Sequence, residues 1–219
     1  MKIEYDEKQN IEFKESWRDE YLKWICGFAN AQGGTLYIGV NDNAEVVGVE
    51  NAKKMLDEYG IRASAIGSPL GKIRLDEDMN AHMETAKRVF ESANVLGAKY
   101  IRMFSFYKTD SSQACFDEIC RRLDDMISAA RGSGVDLCHE NEKGIYGENA
   151  PRCLAIHKAV PRLKAVFDPA NFVQCGQDVM EAWEMLSPYV EYCHIKDAAP
   201  DGHIVPPGDG IGALREYLP

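Results

Sequence analysis

What most constrains this chain is an alternation that begins near residue 59. Short runs of strand-forming residues recur at Ile61–Ile66, Tyr100–Phe106, Val135–His139, Leu163–Phe167 and Tyr192–Ile195. Between them lie stretches with helical periodicity near Asn80–Leu96, Ser112–Ala130, Arg152–Ala159 and Val179–Leu186. Near-continuous apolar strands separated by helices predict a parallel sheet whose two faces are both covered. An open doubly wound sheet and a (β/α) barrel both satisfy this pattern, and composition does not choose between them.

Residues 1–58 have another texture and read as a short α+β unit. Ile11-Glu12-Phe13-Lys14 alternates as a strand does, and Tyr21, Leu22, Ile25, Phe28 and Ala29 recur at helical spacing. Gln32-Gly33-Gly34 stops that helix, and Thr35 to Val40 is rich in strand-favouring residues. Asn41-Asp42-Asn43 is a turn cluster, Glu45 to Val49 a return strand, and Glu50 to Glu58 a helix.

Composition excludes several classes. With 219 residues, 45% of them hydrophobic, the chain can bury a core and is not of the disordered type. No run approaches the roughly 20 apolar residues that cross a bilayer, so no membrane partner is expected. The start, MKIEYDEKQN, has no secretory apolar segment. Seven cysteines, odd in number and without a C-x-x-C pair, point to reduced thiols and a cytoplasmic location. The net charge is −10, with −5 from residues 1–58 and −5 from the remainder. Neither part has the basic excess that phosphate neutralisation needs, which counts against nucleic acid as a partner.

The chemistry is expected just beyond the strands. Val135–Cys138 runs into His139-Glu140-Asn141-Glu142, Leu163–Phe167 into Asp168-Pro169-Ala170-Asn171, and Tyr192-Cys193 into His194-Ile195-Lys196-Asp197. Glu140, Asp168 and His194 are separated by 28 and 26 residues, about one strand–helix repeat each. A parallel sheet places all three at the carboxyl ends of consecutive strands, where α/β folds build their sites. Two carboxylates and an imidazole make a mixed oxygen–nitrogen ligand set. Such a set suits Mn²⁺ or Mg²⁺ best, with Zn²⁺ or Co²⁺ also accommodated. A plain alternative exists for each residue alone: Asp168 before Pro169 also reads as a helix cap.

Residues 59–219 resemble the xylose-isomerase-like TIM-barrel family of sugar phosphate isomerases and epimerases. The likeness runs through Ile66–Lys72, Tyr100–Tyr107, His139–Gly147, Phe167–Phe172, His194–Ala198 and the glycine loop Pro206–Gly210. It implies an α/β fold: an incomplete (β/α) TIM-barrel-like parallel sheet, preceded by the small α+β unit. It also implies that Glu140, Asp168 and His194 are three of four metal ligands. Glu140 would be one of a glutamate pair that moves a proton through an enediolate on a metal-polarised sugar or sugar phosphate. Lys196, Asp197, Asn171 and Arg102 would contact substrate, and Lys72 would help Arg102 steer an anionic sugar. Only five strand–helix units fall in residues 59–219, against eight in a complete barrel. The sheet's edges are then left to residues 1–58, to a second copy in a homodimer, or uncovered. The family's fourth ligand, a glutamate after the glycine loop, has no counterpart before Pro219, so an inactive remnant is a rival reading.

Residues 1–58 are similar to the Schlafen/AlbA-type domain of bacterial transcriptional regulators. The matching stretches are Ile11–Ser16, Cys26–Gly34 and Leu36–Asp42. The resemblance implies a chimera and, as an alternative function, a nucleic-acid-binding module with Glu7, Glu12 and Asp42 as its acidic residues. The plain reading makes these acids solvated strand and turn residues. Trp17, Trp24 and Trp183 read as core or interface aromatics, and His82, His157 and His203 as surface residues without acidic partners. Asp76-Glu77-Asp78 reads as the solvated start of a helix.

Overall fold

The computed structural model describes residue 2 and residues 7–218. It divides into two compact units, residues 1–61 and 62–219.

In the first unit, β1 (Ile11–Lys14) is followed by α1 (Leu22–Ala29), β2 (Thr35–Ile38) and α2 (Ala52–Glu58). The helix α1 carries the chain back so that β1 and β2 pair in parallel, Ile11 opposite Thr35 and Lys14 opposite Ile38. This is a βαβ unit, whose chain reversal a helical crossover allows and a tight turn would not. The expected return strand at 45–49 is reduced to an isolated antiparallel bridge of Val40 with Val46, and another of Lys2 with Glu45. Phe13, Val40 and Ala44 form the small core of this unit.

The second unit is built on a five-stranded parallel sheet. Its strands are β3 (Ala65–Gly67), β4 (Tyr100–Met103), β5 (Asp136–Glu140), β6 (Lys164–Phe167) and β7 (Val190–Cys193), in that spatial order. The helices α3 (Met79–Leu96), α4 (Gln113–Ala129) and α5 (Ala150–Ala159) return the chain between strands; α6 (Pro169–Gln174) and α7 (Val179–Leu186) together make the last crossover. A hairpin of β8 (Asp197–Ala198) and β9 (Ile204–Val205) and a final turn, α8 (Leu214–Tyr217), follow. Asp78, Ser112, Asn149, Asp168 and Asp178 each cap the helix they precede by accepting a backbone N–H.

Strand alternation divides the sheet into two faces. Ile101, Met103, Leu137 and Phe167 point outward and are buried with the helices. Tyr100 and Arg102 share the opposite face, and the sheet curls around it. Tyr100 on β4 donates its hydroxyl to Glu191 on β7 at 2.7 Å, and its ring lies 5.5 Å from that of Tyr192. Two strands separate β4 from β7, so only a barrel-like curl brings these side chains together. The segment after β3 continues the curl: Phe104 and Phe106 donate their N–H groups to Leu70 and Gly71. Gly71 has φ +81°, and a Cβ there would lie 2.0 Å from the Phe104 carbonyl oxygen, so only glycine fits.

Two histidines expected at the surface are internal. His82 accepts the Gly71 N–H at 2.8 Å, and His157 is buried against Tyr189 with its Nδ1 3.2 Å from the Leu163 carbonyl. Helix periodicity puts both on the inner faces of α3 and α5, a position that the absence of an acidic neighbour does not reveal.

Candidate metal centre

Glu140 is the last residue of β5, Asp168 follows β6 directly, and His194 follows β7 directly. Parallel pairing aligns these strand ends, and the curl turns their side chains toward one point. His194 Nδ1 lies 3.0 Å from Glu140 Oε1 and 3.3 Å from Asp168 Oδ2. One ligand atom from each of the three residues falls within 4.8 Å of the others, and among the described residues this is the one such group. Glu140 and Asp168 are buried, whereas the His194 side chain is partly exposed.

Asp168 serves two tasks with two oxygens. Oδ1 caps α6 by accepting the Asn171 N–H at 2.9 Å, while Oδ2 faces His194 and, at 3.7 Å, the Lys196 ammonium. The cap and ligand readings of this residue are therefore compatible. Burial works against its charge, but His194, the Asn171 N–H and Lys196 together hold the carboxyl below the usual aspartate range. Hydrogen bonding to Asp168, and then to Glu140, pushes His194 up to about 9.

The arrangement passes a simple test for a cation. Glu140 Oε2 is buried without a hydrogen bond, although Arg102 Nη1 is 3.2 Å away. Two carboxylates and an imidazole nitrogen crowd together, with an unsatisfied oxygen on one of them. Oxygen-rich ligation with one histidine is the donor chemistry of hard and borderline divalent ions.

Arg102, His194 and Lys196 line an open cavity of about 560 Å³ together with Ser64, Gly67 and Tyr192. Lys196 Nζ also donates to Asn171 Oδ1 at 2.9 Å. The Arg102 guanidinium and the Lys72 ammonium both approach the Phe104 ring, at 4.7 and 4.2 Å, and Lys72 pairs with Glu142 at 2.8 Å.

Asp197 is directed elsewhere. Its carboxylate accepts the N–H groups of Ala198, Gly208, Gly210 and Gly212 at 2.8 to 3.1 Å and is 1% exposed. It ties down the glycine loop, and these bonds hold its carboxyl below the usual range against the effect of burial.

Among the described residues, the acids of the first unit form no group that could hold a metal ion. Glu7 Oε1 accepts the Phe13 N–H at 2.8 Å, Glu12 pairs with Lys14, and Asp42 is exposed in a turn. Asn141 and Glu142 belong to the same polar strand end after β5, and the sequence assigns them no role of their own.

The model of the xylose isomerase-like TIM barrel family matches residues 11–218, and the chain belongs to that family. The match includes most of residues 1–58, so the Schlafen/AlbA resemblance of that stretch, and the chimera built on it, have no support. A comparison with the curated proteins gives no match. Among solved structures, the fold is similar to the probable 3-DHS dehydratase AsbF, involved in petrobactin synthesis, from Bacillus anthracis. That pair is 17% identical with a TM-score of 0.68, covering 95% of this chain and 87% of the other. It is similar also to the IOLI protein with a bound zinc atom, at 18% identity and TM-score 0.64, covering 92% and 80%. A third is D-allulose 3-epimerase from Methylomonas sp. in complex with D-allulose, at 16% identity and TM-score 0.61, covering 96% and 82%. Among the described residues no helix is long and apolar enough to cross a membrane.

Proposed function

We propose that this chain is a divalent-metal-dependent isomerase or epimerase acting on a sugar or sugar phosphate. The observation that carries this reading is the convergence of Glu140, Asp168 and His194 at three consecutive strand ends beside an open cavity. Similar folds that hold zinc and D-allulose support it. Glu140, Asp168 and His194 hold the cation; their oxygen-rich set suits Mn²⁺ or Mg²⁺, and Zn²⁺ or Co²⁺ are accommodated as well. A cation bound there supplies Lewis-acid polarisation of a hydroxy-carbonyl group and a counter-charge for the enediolate.

The chain's own residues supply the rest. Glu140 takes the proton from the carbon beside the carbonyl; the C–H electron pair forms the new carbon–carbon double bond as the carbonyl π pair moves onto its oxygen, which gives the enediolate. Return of that proton to the neighbouring carbon, with the hydroxyl proton passing from that carbon's oxygen to the former carbonyl oxygen, gives an isomer; delivery of a proton to the original carbon from the opposite face by a second acid gives an epimer. Arg102, 3.2 Å from Glu140 Oε2, orients the carboxylate and, with Lys196, lines the cavity with positive charge. Lys196 retains N–H groups for substrate hydroxyl or phosphate oxygens, and Asn171 holds it in place. Asp197 acts on the glycine loop and not on substrate.

Thermal unfolding with and without Mn²⁺ tests the site. At about 100 times the dissociation constant, a native-state ligand adds roughly 2.7 kcal/mol of stability. That gain should vanish in Asp168→Ala and His194→Ala, and a gain retained in both places the cation elsewhere. Deuterium uptake from solvent by D-allulose or its phosphate, followed by NMR, tests the chemistry. Glu140→Gln should abolish it, and undiminished exchange in that variant removes Glu140 from the proton transfer.

A further inference from the structure

We propose that Asn141, which takes no part in holding the cation, is the positioning residue that presets the metal centre by clamping the backbone of Asp168. The proposal rests on the metal-centre reading above. The last residues of β5 and β6 paired with each other are Glu140 and Val166; beyond them β6 is paired only with β7, through Phe167. There the Asn141 side chain does what a peptide group would have done. Its Oδ1 accepts the Asp168 N–H at 3.0 Å, and its Nδ2 donates to the Asp168 carbonyl at 2.9 Å.

Two bonds from one planar amide to both polar groups of one residue fix that residue's position and its peptide orientations. A single bond would leave it free to swing. The tie spans β5 and β6 at the residues that follow and carry the two carboxylates, so it sets the gap between Glu140 and Asp168. Neither carboxylate takes part in it.

The clamp is itself held. Asn171 Nδ2 donates to the Asn141 main-chain carbonyl at 2.8 Å and lies 3.3 Å from Glu140 Oε1. Asn141 and Asn171 are 2% and 5% exposed, so water offers little competition for these bonds. Side chains that orient metal ligands commonly contribute about 10–100-fold to affinity. A buried amide committed to the main chain of a ligand residue belongs to that group of effects.

The test uses the full chain, with Co²⁺ as the probe. Affinity is measured by calorimetry, and ligand geometry by the visible absorption of the bound cobalt. Asn141→Ala should lose about 10–100-fold in Co²⁺ affinity and, at saturation, show a shifted cobalt band. Unchanged affinity with an unchanged band overturns the clamp.

A second measurement needs no variant. In the metal-free wild type, the Asp168 amide should exchange with solvent as slowly as the paired amides of β5 and β6. Rapid exchange of that amide in the folded protein also overturns the proposal, even where Asn141→Ala fails to fold. A wild type that takes up no Co²⁺ refutes the metal-centre reading. Slow exchange at Asp168 would then leave Asn141 as a structural tie and overturn its role toward a cation.

Discussion

The two compact units of this chain use the same local device with different success. Each contains parallel strands joined through helices, yet the first buries a core of Phe13, Val40 and Ala44. Leu22, Ile25, Tyr59 and Ile61 in that unit are all substantially exposed. The second unit repeats the device often enough to build two cores. One lies around Ile101, Met103, Ile119, Leu123 and Met126, and the other around Phe167, Phe172 and Ala182. The lesson concerns repetition. One βαβ unit has little interior, whereas five adjacent strands with covering helices remove whole side chains from water. The cluster of Glu140, Asp168 and His194 needs that rigidity, because side chains from three strand ends meet only if the strands cannot slide.

The contrast can be broken first in the cores. Leu123→Ala, at a site with no exposure, should cost about 2–5 kcal/mol of the second unit's stability in denaturant unfolding. Leu22→Ala on α1, 52% exposed, should change stability by no more than about 0.5 kcal/mol. Equal losses would mean that the first unit is as tightly packed as the second.

Acid should sharpen the contrast, because buried histidines belong to the second unit. Burial pushes His139 down to about 3 and His157 down to about 4, below an unfolded value of 6.5. Below pH 6.5 the unfolded chain therefore binds protons that the folded chain refuses. The stability these residues contribute is present above pH 6.5 and falls on acidification, on the order of 1.4 kcal/mol per pH unit for each, until the folded values are reached. His157→Phe keeps an aromatic ring beside Tyr189 and should flatten the pH dependence of urea midpoints between pH 6.5 and 4; an unaltered slope would remove His157 from the effect. In metal-free protein His194 acts with the opposite sign. Its raised value makes its contribution complete below pH 6.5 and lost as the pH climbs through about 9.

Smaller effects follow the helix ends. Asp178 caps α7 through the Glu181 N–H, and Asp178→Ala should cost about 1 kcal/mol in thermal or urea unfolding. Helices α1 and α2 have no side-chain cap. The exposed Lys53–Asp57 pair on α2 spans four residues, and Lys53→Ala should change stability by less than about 0.5 kcal/mol, within reach only of a double-mutant cycle.

The order of elements from residue 62 onward was legible because each strand and helix writes its own period. The expected strands at 100, 135, 163 and 192 all have counterparts, β4 to β7, with ends shifted by a few residues. Sequence separation also placed Glu140, Asp168 and His194 one repeat apart. The start of α6 was legible in Asp168-Pro169, which reads as a helix cap, but its six residues are too few to show a helical period. The burial of His157 shows in the periodicity of α5, where Cys153 and Ile156 are buried with it, and not in its lack of an acidic partner.

The sequence by itself determined the alternation of strand and helix and the residue types at each strand end, since both follow from local period and side-chain chemistry. Only the tertiary structure decided how far the sheet curls, which is what brings Tyr100 to Glu191 and one atom each of Glu140, Asp168 and His194 to within 4.8 Å. It alone sent Asp197 into the glycine loop while leaving Lys196 in the cavity, and it alone set the Asn141 amide on the Asp168 main chain. The physical reason is common to all three. Each outcome depends on which groups meet across 11 to 91 residues of chain, and that is set by the packing of the whole unit, not by any local pattern.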